Sequence, residues 1–188
     1  MATHPLLPLS LPEHYKCAFK VYLRYAIIMT VFGLLMGIIY QESSKKAPIS
    51  DALPAGAHLE AVLHLGLVHG HAFLIGVLIP LAVNWMLTLG LLLGAKPIGS
   101  KSLKIGTWLY LPSSVIAIAL MIYKGYHYVL GVRGGQFDLL VLHHTLFGGN
   151  HVIRAIVYAS THTAMAVGLS IIAIQVWKSL SAKKSTVS

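Results

Sequence analysis

Residues 61–95 contain no Asp, Glu, Lys or Arg. A helix needs about 20 apolar residues to cross the hydrocarbon core of a bilayer. A charge-free run longer than that commits the chain to a membrane before any other feature is weighed. The same run carries His64, His69 and His71. Imidazole is costly in hydrocarbon without a partner, so ionisable residues inside spans face the bundle interior and mark function. More histidines lie beside the other apolar segments: His127, His143, His144, His151 and His162.

Composition points the same way. The chain has 188 residues, of which 56% are hydrophobic and only 10% charged. Its mean hydropathy of +0.76 lies outside the range of ordinary soluble domains. The length suits a single membrane domain, residues 1–188. Cys17 is the one cysteine, so an internal disulfide is excluded and thiolates cannot supply a structural zinc or iron–sulfur site. A net charge of +9 does not indicate nucleic acid, because the basic residues gather at the ends of apolar segments, as helix flanks do. Lys178, Lys183 and Lys184 are placed to touch acidic lipid heads. The N-terminus lacks an apolar run ahead of a small-residue cleavage site and reads as carrying no secretory signal.

Charge-free windows place four spans at residues 21–40, 62–93, 105–124 and 155–177. The expected fold is therefore all-α: a polytopic membrane protein with a four-transmembrane-helix bundle. Gly33 and Gly37 form a small-xxx-small pair that lets a neighbouring helix approach closely. Pro80 is the expected kink in the second span, since it cannot bond back to Gly76. Trp108, Tyr110, Tyr123, Tyr126, Tyr128 and Trp177 read as interfacial belts. Residues 41–58 and 94–104 read as loops, the first polar and the second basic. Residues 138–147 are apolar, carry histidine and are then broken by Gly148-Gly149-Asn150; they read as an interfacial helix packed on the bundle. A fifth span through residues 139–152 is the less favoured alternative.

The basic residues set the expected orientation. Lys16, Lys20, Arg24, Lys96, Lys101, Lys104, Lys178, Lys183 and Lys184 fall on one side of a four-span topology. Lys45, Lys46, Lys124, Arg133 and Arg154 fall on the other. The positive-inside rule then places both termini on the cytoplasmic, or equivalent, side.

Helical spacing sorts the histidines. At about 100° per residue, His64 and His71 lie about 20° apart, and His69 lies about 160° from His71. His69 and His71 therefore cannot chelate one metal from a regular helix. On the fourth helix His151 and His162 again differ by about 20°. Two helices could each offer an imidazole inward at similar depth, which is the geometry of a bis-histidine b-type haem. Gly66 and Gly70 thin the second helix beside His69, leaving room for a flat macrocycle. Arg133, Arg154 and Lys124 lie near the membrane edges, where propionates would emerge. Three or four converging histidines could instead hold copper or zinc. A histidine chain could relay protons, or the imidazoles could simply bond helix to helix. His4, His14 and His58 read as surface residues, and His127 and His143 as interfacial.

The run Val68-His69-Gly70-His71-Ala72-Phe73-Leu74-Ile75-Gly76 resembles the second-helix motif of a family of uncharacterised small four-helix bacterial membrane proteins. That motif is a His-Thr-His run followed by apolar residues and a glycine. The family's first helix ends in a pattern similar to Gly33-Leu34-Leu35-Met36-Gly37-Ile38-Ile39-Tyr40-Gln41-Glu42. Its third helix ends near Arg-Gly, where this chain has Lys124-Gly125, and its fourth opens with Gly-His, where this chain has Thr161-His162. More distantly, the run from His69 to Gly76 is similar to a helix of haem–copper oxidase catalytic subunits, whose histidine before Gly or Thr ligates a low-spin haem. That resemblance implies His69 as an axial ligand and leaves the second ligand open.

The expectation is an integral membrane protein that binds haem b or a metal ion through intramembrane histidines, His69 and His162 first. Electron transfer, haem handling or sensing are the uses such a site would have. Its expected partners are the lipid bilayer, membrane redox proteins or a second copy of itself, and not nucleic acid. The alternative is a cofactor-free assembly or transport protein whose histidines relay protons or tie helices together. Hydrolysis is disfavoured: Glu13, Glu42, Asp51, Glu60 and Asp138 all avoid the span centres, and a Ser–His–Asp arrangement would have to rest on Asp138 with His143 or His144. Tags at Ala2 and Ser188 should show equal protease accessibility in sealed vesicles; opposite accessibility would mean an odd number of spans.

Overall fold

The structure, a computed structural model, describes residues 11–45 and 56–181. Every regular element among them is helical. The order is α1 (Glu13–Lys45), α2 (Ala57–Phe73), a π-helical turn (Leu74–Leu78), α3 (Ile79–Leu92), α4 (Ser100–Arg133), α5 (Leu139–Thr145), a 3-10 turn (Leu146–Gly149) and α6 (His151–Ser181). Four helical segments are long and apolar enough to cross a membrane: Glu13–Lys45, His58–Leu92, Ser100–Arg133 and His151–Ser181. The protein is thus a four-helix bundle with the composition of a multi-pass membrane protein. α5 has only 7 residues and makes no fifth crossing.

The helices extend well past their charge-free windows. At 1.5 Å per residue, a helix of about 34 residues is about 50 Å long, against a hydrocarbon core of about 30 Å. Charged residues therefore sit on continuous helix in the flanking turns. Gln41 to Lys45 belong to α1, and Lys101 and Lys104 to the first turns of α4, where a loop is expected from the sequence. Lys46, His4, Lys183 and Lys184 lie outside the described residues.

Neighbouring helices run antiparallel. Tyr40 packs over Gly66, and Phe73 over Gly33, so the end of α1 meets the start of α2. Leu65 fills the space beside Gly125, joining the start of α2 to the end of α4. The Tyr15 hydroxyl accepts from the Ile98 N–H at 2.9 Å, tying the start of α1 to the turn before α4. The buried face of α1 comprises Tyr15, Ala18, Tyr22, Ala26, Met29, Gly33 and Met36, a three-and-four spacing that defines one stripe. The opposite face stays apolar and open, with Ile28 63% and Ile38 60% exposed. In a bilayer such a face needs no cover, and helix association falls to packing and polar contacts.

Packing is tightest where glycines meet. A Cβ on Gly106 would lie 2.8 Å from the Gly168 carbonyl oxygen, and one on Gly168 would lie 2.7 Å from the Gly106 carbonyl oxygen. The backbones of α4 and α6 therefore touch. Gly33 and Gly37 do lie against another helix: their Cβ positions fall 3.0 Å from the Phe73 ring and 2.9 Å from His69 Nδ1.

At Pro80 the structure takes a π-turn. The Ile79 N–H reaches back five residues to the Leu74 carbonyl. In that register the next donor would serve Ile75, but residue 80 is proline and has none. The Tyr110 hydroxyl of α4 donates to the Ile75 carbonyl instead, at 2.5 Å.

Gly168→Leu should abolish the monodisperse, folded peak in detergent, because backbone atoms of α4 cannot yield. Gly70→Ala should leave it intact, since nothing lies within 4 Å of that Cβ position. Size-exclusion profiles of the two variants against the parent check both.

Candidate functional site

His69 is the intramembrane histidine with the most defined setting. It projects from α2 toward α1, where its Nδ1–H donates to the Gly33 carbonyl at 2.7 Å. Gly37 makes the approach feasible, as any side chain there would strike the ring. The Phe73 ring stands edge-on to the imidazole with centroids 5.0 Å apart. A carbonyl can only accept, so Nδ1 carries the hydrogen and the Nε2 lone pair is left free. Metal-bound imidazoles take that state, with the second nitrogen donating to a carbonyl or carboxylate.

The other expected ligands are not gathered around it. His71 turns back on its own helix, Nδ1 donating to the Leu67 carbonyl at 2.9 Å. His162 does the same on α6, with the Tyr158 carbonyl at 2.8 Å, and its ring is exposed. His151 is exposed as well. The stripe shared by His151 and His162 is thus the outward face of α6. The inward face is set by Thr161, Gly168, Ile172 and Val176, because Gly168 has to meet Gly106. Gly66 offers no room for a macrocycle, since the Tyr40 ring already fills the space its side chain would occupy. Gly70 faces open surroundings. Among the described residues no three His, Cys, Asp or Glu side chains converge as a metal site.

A second polar cluster sits at the end of the bundle capped by α5. His64 stands edge-on to the buried Tyr128 ring, 5.0 Å between centroids. Lys124 also lies over that ring, its Nζ 5.6 Å from the ring centre. α5 is held over the cluster by its own capping and by two clasps. The Asp138 carboxylate caps it, accepting from the Leu140 and Val141 N–H groups at 2.9 and 3.2 Å. His127 Nε2 lies 2.9 Å from both the Leu142 carbonyl and the Thr145 hydroxyl. Arg154 donates from Nη1 to the His143 carbonyl at 2.5 Å. The chain then reverses through Phe147, Gly148 and Gly149, all at positive φ (57°, 64° and 82°). Two of the three are glycine, which adopts that region freely. The short helix expected over residues 138–147 is therefore present, as Leu139–Thr145. Asp138 is consumed as its cap rather than paired with a histidine. Arg133 is exposed beyond it.

Two features escape the sequence. His14, expected at the surface, is half-buried and within 3.0 Å of the Ile98 carbonyl. A layer of hydroxyls also crosses between α1 and α4: Tyr25 with Ser114 at 2.7 Å, and Thr107 donating to Tyr22 at 3.1 Å. Their signal in the sequence is the one-per-turn spacing of Thr107, Tyr110 and Ser114 on α4. His58 is half-buried, and its Nδ1 has no hydrogen-bond partner among the described residues. No protein-family profile, curated protein or solved structure matches the chain.

Partial burial holds the His143 imidazole below its ordinary pKa of 6.5, helped by the positive charges of Arg154 and Lys124 and by His144 and His151. A depressed folded pKa means the unfolded state takes up protons first. Stability from this group is complete above pH 6.5 and is lost as the pH falls toward the folded value. Protection against hydrogen exchange across residues 139–149, taken relative to the intrinsic rate at each pH, should fall between pH 7 and pH 5, and His143→Gln should flatten that dependence.

Proposed function

We propose that this is an integral membrane protein that ligates a b-type haem or a metal ion through an intramembrane histidine, His69. What supports ligation is one contact: the Nδ1–H donation to Gly33, which fixes the tautomer and leaves Nε2 as the donor atom. His69 would be the one ligand this chain supplies, because His162 and His151 face outward and His71 is turned to its own helix. A bound haem would supply one-electron chemistry. The protein's share is to hold the imidazole at a fixed angle between α1 and α2 and to keep Phe73 against its edge. Electron transfer, haem handling and sensing are the uses open to such a site. Its working environment is the bilayer, with both termini on the cytoplasmic, or equivalent, side by charge bias, and with a redox protein or a second copy as partner.

A cofactor-free role has its own support. His14, His69 and His127 each lie within hydrogen-bond distance of a carbonyl on another element. On that account the imidazoles are interhelical ties in an assembly or transport protein.

Visible absorption of the purified protein separates the two. Ligation gives a Soret band with reducible α and β bands, lost in His69→Ala and kept in His71→Ala and His64→Ala. Colourless, metal-free protein, or a spectrum indifferent to His69→Ala, removes the proposal.

A further inference from the structure

We propose that a groove between the starts of α1 and α4 seats one anionic phospholipid, with its phosphate on Lys101 and Lys104 and an acyl chain along the apolar walls. The two helices run in the same direction. Three polar contacts join them in ascending order: Tyr15 with the Ile98 N–H at 2.9 Å, Tyr22 with Thr107 at 3.1 Å, and Tyr25 with Ser114 at 2.7 Å. These ties hold the pair at a fixed spacing. Beside them α1 contributes only small side chains, Cys17 and Ala18, and a groove of about 700 Å³ is left. That volume falls within the roughly 300–1,000 Å³ of small-molecule sites. Ala18 and Leu103, both buried, form its floor.

The groove has a polar end and an apolar end. Ser100, Lys101 and Lys104 line it at the first turns of α4, and Trp108 and Pro112 line it further along. At 1.5 Å per residue, the stretch from Ser100 to Pro112 is about 18 Å long, close to half of a hydrocarbon core of about 30 Å. A groove that opens on ammonium groups and runs one leaflet deep suits a lipid of that leaflet, head and chain together. Charge selects which lipid. Lys101 and Lys104 lie one turn apart and are exposed. Among the described residues the salt bridges are Lys16–Glu13 and Lys45–Glu42, so neither of the two is paired. Glu13 is the described carboxylate at this end of the bundle, and Lys16 holds it at 2.6 Å. Two ammonium groups without a carboxylate, at the mouth of an apolar groove, call for an anion that brings its own chain. The groove includes none of the histidines of α2, so the site stands or falls apart from ligation at His69.

Cys17 is the chain's one cysteine, is exposed and lines the groove, so its alkylation reports occupancy. The full chain, delipidated in an uncharged detergent at constant ionic strength, is treated with a water-soluble maleimide. Phosphatidylglycerol or phosphatidylcholine is added at equal mole fraction. Phosphatidylglycerol should slow alkylation saturably, and at a lower mole fraction than phosphatidylcholine. Lys101→Gln and Lys104→Gln should each raise the mole fraction for half protection about fivefold, the scale of one basic residue at an anionic surface. Lys178→Gln, exposed on α6 and outside the groove, should leave it unchanged. The site is overturned by no protection, by equal protection from phosphatidylcholine, or by parent-like behaviour of both groove variants. An equal loss in Lys178→Gln would reduce the effect to general surface charge and overturn it too. The same protection from soluble glycerol phosphate would assign a free anion in place of a lipid. Protection that grows with protein concentration in the absence of lipid would assign the groove to a second copy. Either of those results replaces the proposal.

Discussion

A proline deep in a span leaves a carbonyl with no donor and no water to turn to. Pro80 creates that problem, and the structure answers it from another helix, with the Tyr110 hydroxyl on the Ile75 carbonyl. The answer fixes more than one atom. It sets the depth of α4 against α2 and requires a widened turn that presents Ile75. It also places Tyr110 beside the hydroxyl layer of Tyr22 and Tyr25. Interhelical hydrogen bonds in bilayers average only about 0.6 kcal/mol, so this bond's consequence is register more than strength. Strength comes from contact area where backbones meet, at Gly106 with Gly168 and along Gly33 and Gly37.

That division explains the histidines. A polar side chain in a span must either find a partner across a helix interface or bond its own backbone. His69 does the first because Gly33 and Gly37 bring α1 within reach of its ring. His71 and His162 do the second, each taking a carbonyl four residues back. A self-bonded imidazole needs no neighbour and can occupy an outward face. The rule that intramembrane histidines point inward therefore holds for His69 and fails for those two.

Four spans were legible because charge is expensive in hydrocarbon and its absence is easily read. Helix ends were not, since charged residues continue the same helices into the headgroup layer. The α5 helix could be read from its apolar run and the glycines after it. The separation of His69 from His71 follows from helical angle alone. What angle cannot say is which side of α6 faces the bundle. That choice belongs to Gly168, a residue without a side chain, whose role appears only once Gly106 lies opposite it. His69 could be singled out from its setting between glycines, but the carbonyl it bonds lies 36 residues away in sequence.

Taken as four spans, each makes its chief contacts with the span just before or after it in the chain: Glu13–Lys45 with His58–Leu92, His58–Leu92 with Ser100–Arg133, and Ser100–Arg133 with His151–Ser181. A bundle wired this way can be assembled as it is synthesised. When the second span enters the bilayer, its partner is already there, and the same holds for the third and fourth. Contacts between neighbours in sequence close short loops and form quickly. The glycine seam between α4 and α6 is then the last to close, and until it does, α4 carries one unfilled groove open to lipid.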